Sequence, residues 1–212
     1  MSAARIELVW DAKNELGEGP LWDPREQKLY WLDSKGPTIN RYEPRNGSVQ
    51  TWKLPSDVGS MALRETGGAI VALRDGIFAF DFDTGKADLI VQVEPENTRT
   101  RLNDGKVDRR GRFFVGGMDE QETGRMASLY RLDPDHSLAK LDEGIVCFNM
   151  PCWSPDDKVF YFAETWEYIF ACDMTSRPAR FPINALSLTY VTILAVRMDQ
   201  PSMRRVTFGM RR

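Results

Sequence analysis

Along the first 174 residues, short runs of aromatic and β-branched side chains alternate with turns rich in Asp, Pro, Gly and Arg. The runs are Leu29-Tyr30-Trp31-Leu32-Asp33, Ala69-Ile70-Val71-Ala72-Leu73, Arg112-Phe113-Phe114-Val115-Gly116 and Val159-Phe160-Tyr161-Phe162-Ala163. Each follows a turn: Asp23-Pro24-Arg25-Glu26, Glu65-Thr66-Gly67-Gly68, Asp108-Arg109-Arg110-Gly111 and Ser154-Pro155-Asp156-Asp157. Runs this short, bounded this way, predict strands and hairpins rather than helices. The turns begin roughly 40 to 45 residues apart, the period of a four-stranded propeller blade.

A second set of runs keeps the same order inside each unit: Ile39-Asn40-Arg41-Tyr42, Ile77-Phe78-Ala79-Phe80-Asp81, Leu129-Tyr130-Arg131-Leu132-Asp133 and Ile169-Phe170-Ala171-Cys172-Asp173. A sheet of four short strands cannot bury its own two faces, so such units stack radially around a channel. The expectation is an all-β propeller of about three and a half blades, fewer than the roughly four to eight of a closed ring. A sandwich of evenly spaced hairpins is the plainer alternative.

The chain has 212 residues, 42% apolar, 28% charged and 11% aromatic, enough for one substantial core. A net charge of −3 and a single histidine, His136, argue against a nucleic-acid partner. No long apolar run exists to cross a membrane, and the start lacks an apolar signal segment, so a cytoplasmic protein is expected. Cys147, Cys152 and Cys172 form no CxxC pair, which predicts reduced, buried thiols rather than a disulfide framework or a zinc cluster. Charge is uneven: Thr175 to Arg212 holds seven arginines, one acid (Asp199) and no lysine, a net of +6 that leaves −9 for residues 1–174. The break divides the chain into 1–174, the propeller part, and 175–212, a basic tail.

Several polar positions interrupt the repeat. Glu18 lies between Gly17 and Gly19, which let the backbone approach a ligand and aim the carboxylate inward; a solvated turn glutamate is the alternative. In Arg101-Leu102-Asn103-Asp104-Gly105-Lys106, strand alternation puts Arg101 and Asn103 on one face, a clamp for a hydroxylated or carbonyl substrate. The competing reading is an Asn-Asp-Gly turn. Asn149 opens the fourth unit within an apolar stretch, where an amide needs backbone partners or an ion. Hard divalent cations accept amide and carboxylate oxygens, so Glu18 and Asn149 could share a Ca²⁺-like site on the channel axis. Glu120 and Glu122, in Met118-Asp119-Glu120-Gln121-Glu122, add acids after the third unit's strand, as a solvated loop or as ligand contacts.

Together these positions resemble the SMP-30/gluconolactonase/regucalcin-like family. The resemblance runs through Glu15 to Asp33, Arg101-Leu-Asn-Asp-Gly-Lys-Val-Asp108, Gly111 to Met118, Asn149, Trp153-Ser-Pro-Asp-Asp-Lys158 and Tyr161-Phe-Ala-Glu164. It implies a six-bladed β-propeller that binds one divalent cation (Ca²⁺, Zn²⁺, Mn²⁺ or Mg²⁺) and hydrolyses a sugar aldono-1,4- or 1,5-lactone to the aldonic acid. It makes Glu18 and Asn149 metal ligands, Arg101 and Asn103 substrate contacts, and Glu120 or Glu122 a further substrate contact. Gly117 and Phe148 depart from the family's usual threonine and serine. The family's third ligand and acid/base is the aspartate of a Pro-Asp-Gly segment, and no Pro-Asp-Gly occurs in this chain.

The tail carries a trace of that segment in another frame. Read from the third base of each codon with synonymous choice, Val196 to Arg211 permits Pro-Asp-Gly-Ser-Thr-Val-Asp-Ala-(Lys/Glu)-Gly-Tyr-Val-Trp-Asn-Ala. Pro178 to Ala185 permits Gly-Ala-Leu-Ser-Asn-Gln-Arg. A truncated chain, frameshifted after about Met174, is therefore expected, with impaired lactonase activity and an aggregation-prone open edge. The alternatives are a calcium-binding protein without hydrolase activity, a protein-binding propeller fragment, and a genuine basic tail.

Overall fold

A computed structural model describes residues 7–165 and 168–174, and the predicted basic tail, 175–212, lies outside the described residues. The described residues form fifteen strands and no helix. The first sheet holds β1 (Gly17–Asp23), β2 (Lys28–Asp33), β3 (Thr38–Glu43) and β4 (Ser48–Lys53). The second holds β5 (Val58–Leu63), β6 (Ala69–Leu73), β7 (Gly76–Phe80) and β8 (Ala87–Gln92). The third holds β9 (Thr100–Val107), β10 (Phe113–Asp119), β11 (Ala127–Leu132) and β12 (Leu138–Ile145). The fourth has β13 (Phe148–Trp153), β14 (Val159–Glu164) and β15 (Tyr168–Asp173). Each is an antiparallel meander in chain order, so the structure is three complete propeller blades and three strands of a fourth.

The turns expected before each second strand form for local reasons. Asp23 Oδ1 accepts the Arg25 N–H at 2.8 Å, and Asp108 Oδ1 accepts those of Arg110 and Arg112 at 2.9 and 3.0 Å. These are side chains capping their own turns, the reason aspartate is favoured there.

Burial explains why some strands alternate and others do not. Tyr30, Leu32, Ile39 and Trp52 of the first sheet pack on Ala69, Val71, Leu73 and Phe80 of the second. The second sheet's other face, with Ala72 and Ile77, packs on Leu102, Phe113, Val115, Tyr130 and Leu132 of the third. Phe114, Leu129 and Leu141 then face Phe148, Phe160 and Phe162 of the fourth. A middle sheet is covered on both sides, so β6 and the start of β10 are apolar at every position, as a doubly buried strand requires. Phe114, Trp153, Phe160 and Phe162 extend the last interface as tilted and edge-on ring pairs with centroids 5.0–5.8 Å apart.

The first strands of successive sheets meet: β5 packs beside both β1 and β9, and β9 beside β13. Crowding there demands glycine. A Cβ on Gly59 of β5 would sit 2.2 Å from the carbonyl oxygen of Asn103 on β9.

A carboxylate at the end of a second strand anchors the chain entering the first. Asp33 accepts the N–H groups of Glu15 (2.9 Å), Leu16 (3.0 Å) and Gly36 (2.9 Å) and the Asn14 amide (3.1 Å). Glu164 accepts those of Val146 and Cys147, both at 2.8 Å, directly before Asn149. Asp119 accepts Gln121, Thr123 and Gly124 N–H groups and a two-point contact from Arg99, which holds its carboxyl well below the usual range. The cysteines are free thiols, but Cys152 is exposed and Cys172 half-buried; only Cys147 is buried as expected.

Candidate metal and substrate site

Antiparallel meanders put the start of every first strand at the same end as the close of every second strand. Glu18, Arg101, Asn103 and Asn149 all lie near first-strand starts, and Glu120 follows β10, so the topology gathers them at one end of the inner strands.

Glu18 sits at a register shift in the β1–β2 pairing, and Gly19 beside it takes φ +57°, a left-handed conformation that suits glycine. Burial raises the Glu18 pKa, the neighbouring Asp104 charge raises it further, and Arg101 opposes both. Asp104 is likewise pushed up by burial, against the pull of N–H groups from Met150 (2.7 Å) and Gly105 (2.8 Å). Two carboxylates that both resist ionisation stand close enough to feel each other, a pair that a cation would relieve.

The amides form a connected chain. Arg101 Nη1 donates to Asn103 Oδ1 and to the Leu102 carbonyl, both at 3.1 Å. Asn103 Nδ2 donates to the Phe148 carbonyl at 2.9 Å and to Asn149 Oδ1 at 3.2 Å. Asn149 Nδ2 donates to Thr165 Oγ1 at 2.5 Å and to Cys147 Sγ at 3.4 Å. One network thus fixes Arg101, Asn103 and Asn149, with Asn149 Oδ1 retaining capacity for a further partner. Met150, held by Asp104, takes φ 58° and keeps the β13 backbone turned at this point.

The two acids of the loop after β10 differ. Glu120 is engaged by Arg74 through both carboxylate oxygens, which lowers its pKa, and stands 4.0 Å from Arg101 Nε. Glu122 has φ 53°, makes no ion pair with a described residue, and acts on the buried Cys147 thiol through its charge, adding to the burial that already raises it.

Asp104 is the member that sequence reasoning passed over. An Asn-Asp-Gly turn was the competing reading of this stretch, and β9 instead continues as strand through Val107. The signal was the glycine that follows it: a Cβ on Gly105 would sit 2.7 Å from Ser60 Oγ and 2.8 Å from the Phe114 carbonyl oxygen, so the strand next to Asp104 is closely packed.

The donors here are carboxylate and amide oxygens, the set that hard divalent cations take. Among the described residues no three His, Cys, Asp or Glu side chains are already clustered as a metal site. Glu18, Asn149 and the adjacent Asp104 fit a cation on chemical grounds, because mutual repulsion of the carboxylates falls when one binds.

The family profile of the SMP-30/Gluconolactonase/LRE-like region matches residues 16–181, and the chain belongs to that family. It is 35% identical over 173 residues to regucalcin from Gallus gallus, covering 79% of this chain and 58% of the relative. It is 36% identical over 154 residues to 6-deoxy-6-sulfogluconolactonase from Pseudomonas putida, covering 73% of this chain and 53% of that one. Among solved structures it superposes on a calcium-binding protein, regucalcin, from Agrobacterium tumefaciens, with TM-score 0.73 at 25% identity, over 82% of this chain and 58% of the other. The chain therefore spans a little over half the length of the curated relatives it matches.

Proposed function

We propose that the chain carries the ligand-binding half of a metal-dependent hydrolase that opens a sugar aldono-1,4- or 1,5-lactone to the aldonic acid. The observation that supports this most is the hydrogen-bonded chain Arg101–Asn103–Asn149 beside the Glu18–Asp104 carboxylates, in a member of this family. In this reading Glu18 and Asn149 hold one divalent cation (Ca²⁺, Zn²⁺, Mn²⁺ or Mg²⁺), which when bound supplies Lewis-acid polarisation of the lactone carbonyl.

The remaining work falls to the chain's own groups. Arg101 donates from a guanidinium fixed by Asn103, whose own N–H groups go to the Phe148 carbonyl and Asn149, so Arg101 presents donors at a set angle to sugar hydroxyls while Asn103 Oδ1 keeps a lone pair to accept from one. Glu120, oriented by Arg74, offers acceptor lone pairs for a hydroxyl, and Glu122 is the second candidate for that role. No proton-transfer residue is assigned among the described residues, so turnover by the chain as written is expected to be weak.

Hydrolysis of D-gluconolactone by the purified chain, with and without added divalent cations, beside a version carrying the other reading frame after Met174, tests this. Cation-dependent turnover in the restored version alone supports the proposal. Its absence in both removes it. Sequencing the gene through the tail tests the proposed division into 1–174 and a frameshifted 175–212: the idea fails if no alternative frame continues the propeller.

A calcium-binding role without hydrolysis is favoured by one observation, the oxygen donor set in a sequence that lacks Pro-Asp-Gly. Calcium-dependent thermal stabilisation without turnover in either version supports it. A cytoplasmic location belongs to the same proposal, supported by the free thiols of the described residues.

A further inference from the structure

Among the described residues, the stack of four sheets ends in two faces that no other sheet covers, and both are apolar. On the first sheet, the face turned away from the second carries Trp22, Leu29, Tyr42 and Val49, cross-strand partners in one row over β1 to β4. Trp31 lies two residues beyond Leu29 on that face, and the Trp10 ring meets it edge-on at 5.5 Å. Trp22 is 45% exposed. On the fourth sheet, Phe160 and Phe162 pack towards the third, so Tyr161 and Ala163 point the other way. Cys152 and Ala171 are the cross-strand partners of Tyr161, and Ile169, 46% exposed, is that of Ala163. Apolar rows spanning a whole sheet mark interaction surfaces.

The two faces match each other by position. Asp33 and Glu164 close the second strands of the first and fourth sheets, and each accepts N–H groups of the chain entering its sheet. Counted back from these carboxylates, Tyr161 and Ala163 stand where Tyr30 and Leu32 stand. Tyr30 and Leu32 are buried against Ala69 and Val71 of the second sheet. Counted back from Leu73 at the end of β6, Ala69 and Val71 stand where Leu29 and Trp31 stand before Asp33. The outer face of the fourth sheet thus presents one side of the interface that joins the first two sheets, and the outer face of the first sheet presents the other side.

We propose that two copies of this chain associate head to tail, the outer face of the fourth sheet of each packing on the outer face of the first sheet of the other, and so close a ring. A contact between unlike faces grows into open polymers unless the rotation closes it. Two copies of four sheets make eight blades, the upper end of the roughly four to eight of closed rings, so closure is met with two copies. The second copy is the occupant because it carries, at each end, the face that the internal repeat pairs with the one left open. This inference does not depend on the lactonase reading.

Sedimentation equilibrium of the purified 212-residue chain, alone and as two charge variants, tests it. The unaltered chain is expected to sediment as a dimer. Leu29→Lys and Tyr161→Glu each put a charge into both contacts of a like pair, and each is expected to weaken the dimer about tenfold or more. Mixed in equal amounts they are expected to form a heterodimer, because one of its contacts is unaltered and the other opposes lysine to glutamate. Trp22→Lys and Ile169→Glu, at exposed positions of the same two faces, replace either variant that does not fold. A monomer at all concentrations overturns the proposal. So does a dimer undiminished in both variants, since another surface then joins the copies, and so does a series of ever larger polymers, since the ring then does not close. Two folded variants that do not rescue each other overturn the head-to-tail pairing.

Discussion

Replacing Asp33 with asparagine removes one negative charge without changing shape, and the structure sets the consequence. Burial alone would raise the Asp33 pKa, but the N–H groups of Leu16, Gly36 and Glu15 and the Asn14 amide overcome it and lower it to about 2. The ordinary value is 3.8, so the depression corresponds to about 2 kcal/mol of folding free energy at neutral pH. Asparagine also turns one acceptor oxygen into a donor. Whichever way its amide lies, two native donors lose their acceptor: either Leu16 and Gly36, or Asn14 and Glu15. Asn14 cannot flip to compensate, because its oxygen already accepts the Trp31 indole N–H at 2.9 Å. The combined loss is expected to be about 3 kcal/mol, seen as a urea midpoint lowered by about 1 to 2 M. The sign with pH is fixed. A depressed carboxylate stabilises above its unfolded pKa and loses that contribution as pH falls from about 4 towards 2, so the gap between the two proteins narrows over that window. Urea unfolding followed by tryptophan fluorescence at several pH values measures it. A gap below about 1 kcal/mol at neutral pH, or one of constant size down to pH 2, refutes the reasoning.

Gly59→Ala places a methyl group against the Asn103 carbonyl, where only backbone can yield, and is expected to cost about 1 to 3 kcal/mol in a thermal melt and to displace Asn103. Asp142, half-buried on β12, has its pKa pushed up to about 6 by burial; a raised carboxylate costs stability as pH rises from about 4 to 6. Asp142→Asn should therefore melt above the parent near neutral pH, by about 1 kcal/mol or less after allowing for solvent, and the two should converge near pH 4. Thiol alkylation followed by mass spectrometry should label Cys152 first, since Cys147 is buried with a raised pKa and the Cys172 thiol is pushed up to about 12 by burial and the Asp142 charge.

The strands were readable where local chemistry and burial agreed. Ala69–Leu73 is apolar at every position because neighbouring sheets cover both faces, and the Asp-rich turns that precede such runs cap themselves. Glu18 between two glycines, and Arg101 two residues from Asn103, were visible as candidates because spacing along one strand sets them. Pairings across sheets were not visible. Arg74 and Glu120 are 46 residues apart, and nothing local marks Arg74 as the group that occupies Glu120. Asp104 was not singled out because Asn-Asp-Gly is also a turn signal in isolation, and the pairing with β10 that keeps it extended is not local. Cys152 was expected inside on composition, whereas its strand position turns it outward.

In the proposed function Glu18 and Asn149 hold a cation at the end of the inner strands. Calcium titration of the chain by calorimetry, beside Glu18→Gln and Asn149→Ala, tests that directly. One site per chain is expected, weakened about tenfold or more by either substitution, because each removes one of few oxygen donors. Binding that is equally strong in both variants would contradict it and place any cation elsewhere.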